Sequence, residues 1–141
     1  MKSPRTPLLI VLAVLEFFLS FGALYGGATL VAVPDGSLLG VSSDLLAGSP
    51  FETFLIPGAL LFVFVGVGPF VLAVAALLER AWTRTLHVVL GSGLILFELV
   101  EWWAIDYHVL QAIYIVYGAV LVVLGVIYVR GTSSASTSGI S

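Results

Sequence analysis

Four long apolar runs occupy most of this 141-residue chain, and they leave few architectures open. A hydrocarbon core about 30 Å thick is crossed by about 20 helical residues. The stretches Leu8 to Val33, Ile56 to Leu78, Thr85 to Ile105 and Val109 to Val129 are each long enough. Only 9% of residues are charged and 60% are hydrophobic. Soluble domains carry roughly a quarter charged residues, so a soluble fold could not hide this apolar surface. The runs are continuous rather than alternating, which argues against a transmembrane barrel. The expected fold is all-α: a polytopic membrane protein whose four-helix transmembrane bundle covers residues 8–129, after a short N-terminus at 1–7. Residues 34–55 form an external segment, and the Ser/Thr-rich tail 130–141 is expected to be disordered.

The five basic residues set the topology. Lys2 and Arg5 precede the first run, Arg80 and Arg84 separate the second from the third, and Arg130 follows the fourth. The opposite loops hold Asp35, Asp44, Glu52 and Asp106 but no lysine or arginine, so both termini are expected in the cytoplasm, with the protein in a plasma membrane. The first run is too long for a signal peptide, carries Glu16 and lacks a clear cleavage site. With no cysteine, thiolate metal sites, disulfides and cysteine nucleophiles are excluded. A net charge of −3 and no basic face argue against nucleic acid.

In the external segment, Pro34-Asp35-Gly36 is a turn signature. Ser49-Pro50-Phe51-Glu52 matches a capping box and predicts a helix start at Pro50, with kinks at Pro57 and Pro69. Leu38, Leu39, Val41, Leu45 and Leu46 are too apolar for a solvated loop, so the segment is expected on the membrane surface or capping the bundle. The pattern Pro34-Asp35-Gly36-Ser37-Leu38-Leu39-Gly40, then Ser49-Pro50-Phe51 and Phe54-Leu55-Ile56-Pro57-Gly58, with Leu110-Gln111 opening the last run, resembles a group of small prokaryotic four-helix membrane proteins of unassigned function. The resemblance implies a prokaryotic membrane and this fold. It implies no activity and no catalytic residue.

Charged side chains inside a membrane are costly and mark the places where function concentrates. On the third run His87, Gly91, Leu94, Glu98 and Glu101 fall on one helical stripe, extended by Ile105 and His108 if the helix persists. A rise of 1.5 Å per residue places Glu98 roughly 20 Å from Thr85, and Glu101 one turn further out. Trp102, Trp103 and Tyr107 mark the outer interface, so Glu101 is expected to be wetted there. Gln111 and Tyr114 of the fourth run lie at the same depth and complete a polar seam with the two glutamates. Glu16 of the first run joins His87 nearer the cytoplasm. His87 itself, beside Arg84, reads as a wetted interfacial residue. Gly22 and Gly26 on the first run, and Gly118 and Gly125 on the fourth, offer small-residue spacing for close helix approach.

Two readings of Glu98 stay open: a hydrogen-bonded residue that holds helices together, or a polar anchor for a ligand or a proton. No nucleophile, phosphate loop or metal cluster accompanies the glutamates, so no catalytic residue, metal or cofactor is expected. The favoured function is a non-enzymatic accessory or assembly protein in the lipid bilayer, with a membrane protein partner or a second copy of itself. The alternatives are a binder of a lipid or apolar small molecule anchored on Glu98, and a proton-coupled or enzymatic use of Glu98 and Glu101.

Overall fold

The computed structural model describes residues 5–104 and 109–139. The expectations that fall on Lys2, Ile105, Asp106, Tyr107 and His108 lie outside the described residues. Four helices are long and apolar enough to cross a membrane, and no strand occurs among the described residues. They are α1 (Arg5–Ala32), α2 (Leu55–Leu77), α3 (Thr83–Ala104) and α4 (Val109–Ser138). Apolar helices are the natural outcome here, because in lipid every backbone N–H and C=O must find its partner within the segment. Large side chains such as Phe18 at 75% and Trp103 at 88% exposure point outward, toward the bilayer that a multi-pass membrane protein occupies.

The bundle is built as two helical hairpins. α1 packs along the length of α2, and α3 packs along α4, with fewer contacts joining one hairpin to the other. Glycines set the close approaches. A Cβ on Gly27 would stand 2.7 Å from the Phe62 amide nitrogen, and one on Gly58 would stand 2.6 Å from the Leu30 Cβ. In the second hairpin a Cβ on Gly91 would meet the Gly118 carbonyl at 2.7 Å, and the reverse contact is 2.8 Å. Gly125 packs on Val88, with its amide nitrogen 3.1 Å away. Of the expected packing glycines, Gly118 and Gly125 serve in that role. Gly22 and Gly26 do not: a Cβ on Gly22 meets nothing within 4 Å, and one on Gly26 makes only an ordinary 3.7 Å contact. The small-residue spacing in α1 faces a space instead of a helix, and Gly27, one residue on, makes the contact.

The second span departs from the expected geometry. Ser49 Oγ accepts the amide of Phe51 at 3.2 Å, a local turn that replaces the capping box, and Thr53 Oγ1 meets the amide of Leu55 at 3.4 Å, where the helix begins. Pro57 therefore sits in the first turn, where helical amides have no partner to lose, and it need not break the ladder. The irregularity lies further on: Leu61–Val67 forms π turns, and Pro69 follows just inside the α-helical stretch Gly68–Leu77. Next to this disturbed ladder Ser20 of α1 donates to the Gly66 carbonyl at 2.6 Å, supplying a donor from the neighbouring helix.

The external segment folds down over its end of the bundle through two short 3₁₀ turns, Ser37–Leu39 and Ser43–Leu46. The Phe54 amide donates to the Pro34 carbonyl at 2.8 Å and closes the loop, while Leu46 and Phe54 are buried. Asp35 accepts the Ser37 amide at 2.8 Å, and the Ser37 hydroxyl and amide hold its carboxyl below the usual aspartate range. At the other end α4 runs on to Ser138, well past the start of the tail expected to be disordered. The hydroxyls of Thr132, Ser133 and Ser134 bond back to carbonyls one turn earlier, which keeps them compatible with a helix.

Candidate functional site

The polar side chains of the spans gather where the two hairpins meet, in two separate places. The deeper is an acid and base pair. Glu16 of α1 and His87 of α3 are both 0% exposed, with Oε1 and Nδ1 2.5 Å apart. The expectation of a wetted His87 is thus corrected. Proximity to Arg84 does not put His87 at the surface, because α3 begins deeper than α1. Glu16 lies ten residues beyond Thr6 and His87 four beyond Thr83, so the start of α3 sits roughly 9 Å further in. Tyr117 of α4 adds a second tie across the same joint, its hydroxyl donating to the Leu15 carbonyl. Around these groups Leu12, Leu19, Ala23, Val65, Leu94 and Leu121 form a dry core that keeps water from the pair. Glu16 Oε2 and His87 Nε2 have no hydrogen-bond partner among the described residues.

The second place is a cavity of about 220 Å³ under the external segment. Glu98, Glu101, Gln111 and Tyr114, four of the five proposed seam residues, line it together. Glu16 does not, because His87 holds it elsewhere. Glu98 is 2% exposed and Gln111 5%, whereas Glu101 and Tyr114 are half-buried. Gly22 and Gly26 form the α1 wall, which explains why no helix fills the space against them. Leu39, Val41 and Leu45 of the external segment supply the roof, and Phe54 and Leu61 add apolar surface. One carboxyl oxygen of Glu98, Oε2, is buried without a hydrogen-bond partner among the described residues. Such a group in an apolar setting costs on the order of 1 to 3 kcal/mol unless something satisfies it.

A third space of about 260 Å³, between Leu19, Phe64, Val65, Leu90 and Phe97, offers only apolar walls and so has no group to orient a ligand. Among the described residues no cluster of three histidine or acidic side chains could hold a metal ion. Sequence reasoning missed Tyr117 and the burial of His87. The expected association of Glu16 with His87 is what the structure shows, but as a buried pair rather than one wetted near the interface.

The site defines a class: a four-helix, multi-pass membrane bundle with a buried acid and base joint and one capped polar cavity. Set against protein-family models, curated proteins and solved structures, the chain matches none.

Proposed function

We propose that this protein binds a lipid-class molecule, an apolar body with one hydrogen-bonding group, in the capped cavity, with Glu98 as the anchor. The observation that carries this reading is the unsatisfied Glu98 Oε2 in a space of about 220 Å³ whose other walls are mostly apolar. Ligand sites are commonly about 300–1,000 Å³, so a space this size takes one end of such a molecule and leaves the rest against the bilayer. Gln111 and Tyr114 flank the anchor and can each exchange a hydrogen bond with the same group. The distribution of basic residues supports a plasma membrane orientation with both termini cytoplasmic, and the sequence resemblance supports a prokaryotic host. The accessory or assembly reading rests on exposed apolar helix faces, which lipid covers equally well, so the cavity favours the binder.

Mass spectrometry of the organic extract of the purified full chain tests this. Wild type is expected to carry a bound species that Glu98→Gln retains poorly. Gly22→Leu, which places a side chain in open space on the cavity wall, is expected to exclude it while leaving the fold intact. Identical extracts from the three proteins would refute the assignment.

A further inference from the structure

At the end of the bundle opposite the capped cavity, α1, α3, α4 and the turn between α2 and α3 border a half-open polar space of about 210 Å³. Arg80 and Arg84 line it, with Thr83, Tyr128, Thr132 and the carboxylate of Glu79. Among the described residues neither arginine makes an ion pair. Two guanidinium groups against one carboxylate leave the space net positive.

The turn that carries Arg80 is held in place from three directions. The Arg80 amide donates to the Ala75 carbonyl at 3.1 Å and the Glu79 amide to the Ala76 carbonyl at 2.9 Å, the pair of hydrogen bonds that closes a helix end. Glu79 takes φ +56°, the left-handed conformation usually left to glycine at that position. Thr83, only 2% exposed, then grips the Arg80 carbonyl with its hydroxyl at 2.7 Å and its amide at 3.0 Å. Backbone strain of this kind persists where the surroundings fix it, and it gathers at ligand clamps.

We infer that this space is a binding site for a phosphate-class anion, held by Arg80 and Arg84 with a hydroxyl donor from Tyr128; the Thr132 hydroxyl is already committed to the Val129 carbonyl. Guanidinium forks suit phosphate oxygens, and basic pockets between membrane helices take anionic head groups. The space exceeds the ~30 Å³ share of one water several times over, which a phosphate requires. The phosphate reaches it either on a lipid head group from the adjoining leaflet or free from solution.

The full chain in mixed micelles tests the site, with retention of phosphatidylglycerol against phosphatidylcholine measured by native mass spectrometry, and inorganic phosphate added as competitor. Wild type is expected to retain phosphatidylglycerol preferentially. The double variant R80Q/R84Q should bind roughly 25-fold more weakly, at about fivefold per arginine. Arg130→Gln, on the same end but outside the space, should change affinity by less than twofold. Displacement by millimolar phosphate would identify the free ion as a ligand, and resistance to it would identify the lipid head group. Should the double variant fail to fold, Glu79→Gln supplies the check, since removing the carboxylate should tighten binding several-fold. Equal retention of both lipids with no response to phosphate would overturn the site. So would an Arg130→Gln loss as large as that of R80Q/R84Q, or a Glu79→Gln affinity equal to wild type.

Discussion

Glu16 and His87 face each other at 2.5 Å across the joint between the two hairpins, with neither side chain open to solvent or lipid. Each is the other's only hydrogen-bond partner among the described side chains, since Glu16 Oε2 and His87 Nε2 are unbonded. Removing one therefore strands the other.

Glu16→Leu is expected to destabilise the folded protein by about 3 kcal/mol, because it leaves His87 buried without a partner. Replacing both, as E16L/H87L, should recover much of that loss, since two apolar residues leave nothing unsatisfied. A double-mutant cycle on unfolding in mild detergent reads the coupling, and strictly additive effects would count against the pair.

The reciprocal glycine contact in the second hairpin gives a second expectation. A methyl group at Gly91 would stand 2.7 Å from the Gly118 carbonyl, so Gly91→Ala must push α3 and α4 apart. Overpacking of that kind costs about 1 to 3 kcal/mol. Gly22→Ala, whose Cβ meets nothing within 4 Å, is the matched control and should unfold like wild type.

Gly36→Ala acts on the roof of the cavity. The residue holds φ +81°, and an added Cβ would stand 2.6 Å from the Val41 carbonyl. The roof is expected to loosen while the spans remain folded, so amides of residues 37–46 should exchange faster with deuterium and α1 should keep its protection. Equal exchange in both proteins would show that the turn does not hold the roof.

Glu79→Gly tests the strained turn from the stability side. Glycine adopts φ +56° freely, and relief of a left-handed residue is worth on the order of 1 kcal/mol. The variant is expected to unfold at a higher temperature than wild type. A lower unfolding temperature would mean that the Glu79 side chain contributes more than its backbone costs.

Much of the fold was legible because apolar length is a direct physical requirement of the bilayer, and the spans lie within a few residues of Leu8 to Val33, Ile56 to Leu78, Thr85 to Ile105 and Val109 to Val129. The grouping of Glu98, Glu101, Gln111 and Tyr114 was also legible, because helical phase and rise locate residues along one helix and equal depth brings two helices together. What sequence could not carry is the offset between helices. Depth groups Glu16 with His87, but that the pair is fully buried depends on how far α3 is set in from α1, a matter of how the hairpins dock. The same limit applied to the glycines: spacing alone did not separate Gly22, beside an empty space, from Gly27, pressed against the Phe62 backbone. At Ser49 the capping pattern lost to a tighter local turn with Phe51.

The two-hairpin construction bears on how the protein comes into being. Each hairpin holds its own close glycine contacts, so each can enter the bilayer as a paired unit, in keeping with helices that insert first and associate afterwards. The Glu16 and His87 pair, the capped cavity and the arginine-lined space all draw walls from both hairpins. None of them exists in either half alone. If the halves insert before they dock, docking is the step that forms the buried pair and closes both spaces.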